Sequence, residues 1–185
     1  RGGEDFLIGG AGGDRMLGGA AADILLGEAG NDKAFGGRGA DFITGDAGGD
    51  ALSGGKGADR LFGQQGQDVL TGGQGADTLA GGVGKDDLTG GQGRDVFLLS
   101  ERDGARDMIR DFEAGTDVID LFRDGDITFL GSAAFDGSEQ AIRVVDRKRG
   151  VVVLVDDDGD RRAALSARVW LKDGGTLDED DFGFF

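Results

Sequence analysis

A period of nine residues governs the first half of the chain. Read in steps of nine from Gly9, the sequence gives GGAGGDRML, GGAAADILL, GEAGNDKAF, GGRGADFIT, GDAGGDALS, GGKGADRLF, GQQGQDVLT, GGQGADTLA, GGVGKDDLT and GGQGRDVFL, ten units in unbroken phase ending at Leu98. An eleventh, lacking its first residue, runs from Arg1 to Ile8. An internal repeat of this kind limits the fold to stacked, quasi-one-dimensional architectures. Position 1 is Gly in all ten complete units, and position 4 is Gly in all but one, which has Ala21. Position 6 is Asp in all eleven units: Asp5, Asp14, Asp23, Asp32, Asp41, Asp50, Asp59, Asp68, Asp77, Asp86 and Asp95. Position 8 carries Leu7, Met16, Leu25, Ala34, Ile43, Leu52, Leu61, Leu70, Leu79, Leu88 and Phe97.

Those positions predict a loop followed by a very short strand. Glycines open backbone conformations closed to other residues and let carbonyl groups converge. The three residues after each Asp alternate out, in, out, so position 8 faces a core. Two units then make one 18-residue turn with a strand on each side, and turns stack about 4.8 Å apart by parallel pairing. Loops 18 residues apart become neighbours, which sorts the aspartates into two columns. One holds Asp5, Asp23, Asp41, Asp59, Asp77 and Asp95; the other holds Asp14, Asp32, Asp50, Asp68 and Asp86.

Stacked carboxylates repel, and a hard dication between neighbours removes the repulsion. Oxygen-only donors in a flexible loop suit calcium better than magnesium. The gaps in the two columns allow about nine ions. Residues 1–98 carry 15 acids and 8 bases. Nine ions would over-compensate that charge, so the last sites are expected to fill only near about 10⁻⁴–10⁻³ M calcium.

Composition narrows function further. The chain has 185 residues, 40 Gly, no Pro, Cys or His, and a formal net charge of -16. A chain without His or Cys builds no Ser-His-Asp triad, no thiolate nucleophile and no zinc site of the usual N/S type. The acidic balance disfavours nucleic acid and anionic membrane as partners. No apolar run approaches the roughly 20 residues of a membrane helix. With no initiator Met and no leader at Arg1, the chain reads as part of a longer polypeptide.

The units match GGxGxDxUx and so resemble the RTX calcium-binding parallel β-roll over residues 1–98. The resemblance implies an all-β, right-handed parallel β-roll. It also implies calcium held between turns by the aspartates and by loop carbonyls, here of Gly10, Gly12, Gly37, Gly39, Gly55, Gly57, Gly73, Gly75, Gly82, Gly84, Gly91 and Gly93. Departures from the pattern are Ala21 and Ala22, then Glu28, Asp46 and Gln64 at the second position, and Ala34 in the core; the unit at Gly18 is the weakest expected site.

After Leu98 the period stops. Strands are predicted at 107–112, 117–122, 127–130, 141–146, 151–155, 163–171 and 180–184, with 151–155 and 163–171 forming a hairpin around DDDGD. Residues 99–185 are therefore expected to form a β-sandwich-like cap on the roll, with Trp170 in its core. Residues 95–121, DVFLLSERDGARDMIRDFEAGTDVIDL, and FLGSAAF at 129–135 resemble the segment after the repeats in serralysin-type metalloproteases. Similar segments occur in type I secreted epimerases and lipases. This resemblance implies that Asp107 and Asp117 complete a terminal calcium site. Asp156, Asp158 and Asp160 form a second acidic loop, incomplete as an EF-hand. The end, LDEDDFGFF, resembles an uncleaved type I secretion signal.

The expected function is a monomeric, non-catalytic, calcium-driven folding and secretion module. Its partners are calcium, the type I secretion machinery and an upstream domain, with a serralysin-like protease the leading guess, and its place is outside the cell. The alternative is a calcium-binding repeat region of an adhesin with no enzyme attached. An ice-binding solenoid is disfavoured because Thr is scattered at Thr44, Thr71, Thr78 and Thr89 rather than aligned on one face.

Overall fold

The structure, a computed structural model, describes residues 2–99, 106–121, 128–129, 141–147, 150–156, 165–171 and 181–183. Each repeat contributes one strand, and alternate strands go to opposite sheets. The first sheet runs β1 (Phe6–Ala11), β3 (Ile24–Ala29), β5 (Phe42–Ala47), β7 (Arg60–Gln65), β9 (Thr78–Val83) and β11 (Val96–Leu99). The second runs β2 (Arg15–Ala20), β4 (Lys33–Arg38), β6 (Ala51–Lys56), β8 (Val69–Gln74) and β10 (Asp87–Gln92). Pairing is parallel with an 18-residue offset, as in Leu25↔Ile43 and Leu52↔Leu70. The chain is thus an all-β parallel solenoid.

The repeat strands are longer than the sequence suggests. Up to β10 each spans six residues, from position 7 through position 3 of the next unit, so the glycine pair lies inside the strand rather than in the loop. Two positions face inward. Position 8 forms the core: Leu25, Ala34, Ile43, Leu61, Leu70, Leu79, Leu88 and Phe97 are fully buried, and Leu7 at the end is only partly covered. The other inward position is the first glycine, which packs against an aspartate carboxylate.

Strands beyond residue 98 join the same two sheets. The first sheet continues through β13 (Val118–Leu121) to β18 (Phe182–Gly183). The second continues through β12 (Arg106–Phe112) to β17 (Leu165–Leu171), β16 (Gly150–Asp156), β15 (Ala141–Arg147) and β14 (Thr128–Phe129). The seven strands read from sequence all occur, and β16 and β17 pair antiparallel as the predicted hairpin. The apolar column carries on through Leu99, Ile109, Phe112 and Ile119, with the Phe97 and Phe112 rings 6.0 Å apart. The side chains of Trp170 and Asp156, and all of Asp158 and Asp160, lie outside the described residues.

Candidate metal centres in two carboxylate columns

The structure places the aspartates of position 6 in the two columns expected. From Asp23 to Asp95 they are buried, with only 1–2% of their surface exposed. From Asp23 onward the two carboxylate oxygens have distinct fates. One oxygen accepts a main-chain N–H from the aspartate one turn earlier: Asp5 N–H donates to Asp23 Oδ1 at 2.7 Å, Asp32 N–H to Asp50 Oδ1 at 2.7 Å, and Asp59 N–H to Asp77 Oδ1 at 2.8 Å. The other oxygen, Oδ2, is buried with no hydrogen-bond partner in Asp5, Asp14, Asp23, Asp32, Asp41, Asp50, Asp59, Asp68 and Asp77. A buried carboxylate oxygen left without a donor is costly. Such a row of them fits a bound cation as the missing partner.

The invariant glycine at position 1 explains how the carboxylate gets inside. A Cβ on Gly72 would lie 2.5 Å from Asp77 Oδ2 and 2.6 Å from the Gly90 carbonyl oxygen. Gly27 stands in the same relation to Asp32 Oδ2, at 2.5 Å, and to the Gly45 carbonyl oxygen, at 2.6 Å. The aspartate occupies the space that a side chain five residues earlier would need. An anionic oxygen and a main-chain oxygen therefore meet in one cradle, a donor set suited to a hard dication.

Positions 2 and 4 have a different requirement. Gly10, Gly37, Gly55, Gly73, Gly82 and Gly91 at position 2, and Gly12, Gly39, Gly57, Gly75, Gly84 and Gly93 at position 4, all have φ between 100° and 144°. A Cβ on Gly39 or Gly57 would overlap the carbonyl oxygen of the residue 18 earlier. These carbonyls thus point along the columns towards the next turn. The four non-glycine residues at these positions, Ala21, Glu28, Asp46 and Gln64, sit at φ 69–82°, the left-handed basin open to L-residues at a cost. Asp46 accepts from the Thr44 hydroxyl at 3.0 Å and from the Gln64 amide, a polar ladder on the outer surface.

Electrostatics agree with the burial. Asp68 is raised to about 7, chiefly by desolvation, opposed by the Asp50 main-chain N–H and reinforced by the charges of Asp86 and Asp50. Asp59 and Asp77 are raised to about 6 by the same causes. Asp41 and Asp50 are also raised, again first by burial. Burial thus favours the protonated form of these carboxylates, and an anion there calls for a compensating positive charge. Among the described residues no three acidic side chains come together. A cation in a column would therefore draw its remaining donors from main-chain oxygens.

Asp107 and Asp117 prolong the columns. Asp107 Oδ1 accepts from Asp86 N–H and Asp117 Oδ1 from Asp95 N–H, each at 3.0 Å. Asp117 differs from the repeat aspartates in its second oxygen, which accepts the Glu113 N–H at 2.8 Å. That column therefore closes on protein donors. Two further carboxylates escaped the sequence reading. Asp111 accepts both Gly90 and Gly91 N–H groups at 2.9 Å, and buried Asp181 accepts the Gly115 N–H at 2.7 Å. Neither lies in the nine-residue phase, so no period reveals them. Asp181 and β18 place part of the acidic end within the fold; Asp178, Glu179, Asp180, Phe184 and Phe185 lie outside the described residues.

A parallel solenoid with one buried aspartate per nonapeptide defines a class of calcium-binding repeat proteins. The RTX calcium-binding nonapeptide repeat matches in four copies, over residues 1–34, 26–61, 35–70 and 62–97, and the chain belongs to that family. Among solved structures, the chain resembles the AlgE6R3 subunit of the Azotobacter vinelandii mannuronan C5-epimerase, with a TM-score of 0.53 and 25% identity over 74% of this chain and 78% of that one. The extracellular lipase LipA of Serratia marcescens aligns with all of this chain and 40% of its own, at 17% identity and a TM-score of 0.43. No curated protein matches the chain.

Proposed function

We propose that this chain is a calcium-driven folding module of a secreted protein, exported through the type I route. The buried Oδ2 atoms without a hydrogen-bond donor carry this reading. Each turn buries one core side chain per nonapeptide, too little on its own to offset ordering about 1–2 kcal/mol per residue in a glycine-rich chain. Calcium supplies the positive charge and coordination energy that the columns lack. Asp5 through Asp95 hold it, with carbonyl oxygens of the position 2 and 4 glycines, while Asp107 and Asp117 finish the columns. At cytosolic calcium levels the chain stays unfolded and fit for export; outside the cell it folds. Residues 1–98 act as the binding roll and 99–185 as its cap and export signal. The module performs no catalysis itself.

A domain elsewhere on the same polypeptide would supply any enzymatic activity. The sequence of residues 95–121 favours a serralysin-like protease. The similar epimerase subunit keeps enzymes other than proteases in view. Equilibrium dialysis tests the ion. Several calcium ions should bind per chain, with magnesium at the same concentration failing to displace them. Absence of calcium uptake at millimolar concentration would sink the reading.

A further inference from the structure

The outer faces of the two sheets differ in charge. Strands β2, β4, β6 and β8 of the second sheet read RMLGGA, KAFGGR, ALSGGK and VLTGGQ, with four bases and no acid. Strands β1, β3, β5, β7 and β9 of the first sheet carry Glu28 and Asp46 against Arg60. The register of the second sheet sets like charges side by side, Arg15 beside Lys33 and Arg38 beside Lys56. Like charges directly opposite on paired strands destabilise a sheet. Among the described residues none of the four is ion-paired. The acids nearest them in sequence are Asp14, Asp32, Asp41 and Asp59, whose Oδ2 atoms are buried in the columns. Between the two cation pairs lies an apolar row. Leu17 pairs with Phe35, and they are 52% and 37% exposed. The Arg15 guanidinium lies 5.2 Å from the centre of the Phe35 ring. Lys33 and Arg38 are five residues apart on β4, which separates the cation rows by about 16 Å. Both β4 and β6 have a neighbour on each side, so this face is a flank of the roll and not an end.

We infer that the outer face of the second sheet docks on an anionic lipid surface, its two cation pairs meeting phosphates while Leu17 and Phe35 enter the headgroup layer. The rows exist only in the folded roll, so the inference rests on the calcium-driven folding proposed above. Charge complementarity and the apolar row select the partner together. A phosphate shared by Arg15 and Lys33, or by Arg38 and Lys56, removes the repulsion that the register imposes and accepts charge-assisted hydrogen bonds. A hydrophilic polyanion would satisfy the cations but leave Leu17 and Phe35 in water. Basic side chains framing exposed apolar ones are the composition of segments that lie in a membrane interface. The chain's formal net charge of -16 opposes such a partner only at a distance. Exposed charges further away than about 8–10 Å are screened at physiological ionic strength, and calcium in the columns offsets the acids behind the sheet.

The test is co-sedimentation of the full chain, in millimolar calcium, with vesicles of phosphatidylcholine alone or mixed with phosphatidylglycerol. The chain should bind the mixed vesicles and not the neutral ones. Lys33→Gln and Arg38→Gln should each weaken binding about fivefold, the contribution of one basic residue at an anionic surface. Arg60→Gln removes the same charge from the first sheet and should change binding less than about twofold. Leu17→Thr with Phe35→Thr should weaken binding while leaving its salt dependence in place. Circular dichroism of each sample reports folding. A chain that stays unfolded in calcium refutes the folding proposal and this one with it; a folded chain that ignores the mixed vesicles overturns this one alone. Equal losses in Arg38→Gln and Arg60→Gln also overturn it, because bulk charge or calcium bridging would then account for binding. So does binding that dextran sulfate abolishes and that Leu17→Thr with Phe35→Thr leaves unchanged, the mark of a site for a soluble polyanion.

Discussion

At the residue scale the aspartate and the glycine five residues before it are one device. Gly72 has no side chain because Asp77 uses its space, so Gly72→Ala should cost the calcium-loaded protein about 1–3 kcal/mol by overpacking. Gly2→Ala, where nothing lies within 4 Å, should cost less than about 0.5 kcal/mol. Urea melts of the two variants measure the difference; equal midpoints would contradict the pairing. Asp68→Asn keeps an oxygen for the Asp50 N–H but replaces the unpartnered Oδ2 with a donor. The calcium midpoint should rise roughly tenfold, because affinity follows ligand charge. The calcium-free chain should gain order, because a buried charge is gone. Asn in place of Asp with no change in either state would show that Oδ2 binds nothing.

The same carboxylates set a pH dependence. Asp59, Asp68 and Asp77 lie at about 6, 7 and 6 in the folded, metal-free state, against about 3.9 in the unfolded chain. Between those values the folded form binds more protons, so metal-free stability falls as pH rises from about 4 to about 7. Calcium must displace these protons, so its apparent affinity should rise over that window. Titrations at pH 5.5 and 7.5 check the sign; a tighter midpoint at the lower pH would refute it.

At the element scale, strands alternate between two sheets, so one nonapeptide is half a turn. Deleting residues 54–71 should leave every later strand in its own sheet and give a shorter roll with fewer bound ions. Deleting residues 63–71 sends each later strand to the opposite sheet, keeps the pairing beyond the cut, including Leu88↔Ile109 between β10 and β12, and makes the two aspartate columns exchange members. Ser53 and Ala80, in opposite sheets of the intact roll, then become neighbours, so a cysteine pair at those two positions should cross-link in the nine-residue deletion and not in the full chain. Equal cross-linking in both would count against the alternating topology.

Much of this was legible in the sequence. Asp at position 6 and one apolar residue at position 8 fixed the core, the columns and the 18-residue offset, because both follow from period and alternation. The strands after residue 98 were legible from β-branched runs and the DDDGD turn. The six-residue strand length was not, because glycine is a poor strand former and only the packed neighbour shows that Gly72 is interior. The N–H ladder that consumes half of each carboxylate was also hidden. It relieves part of the repulsion that the sequence assigned wholly to cations. Asp111 and Asp181 act across separations of 20 and 66 residues and carry no local pattern.

At the scale of the whole molecule, glycine abundance and acidity have two consequences. Without ions, 40 glycines raise the entropy lost on folding, and the buried columns hold charges that the protein alone does not neutralise. With ions, the same glycines provide the cradle and the same acids the ligands. The central claim is that calcium decides between these states. Far-UV circular dichroism with thermal melting, run on one sample in millimolar calcium and again after chelation, tests it most directly. The account predicts a β spectrum and a cooperative melt in calcium, and a disordered spectrum with no transition in chelator. The same spectrum and melting temperature in both would contradict it.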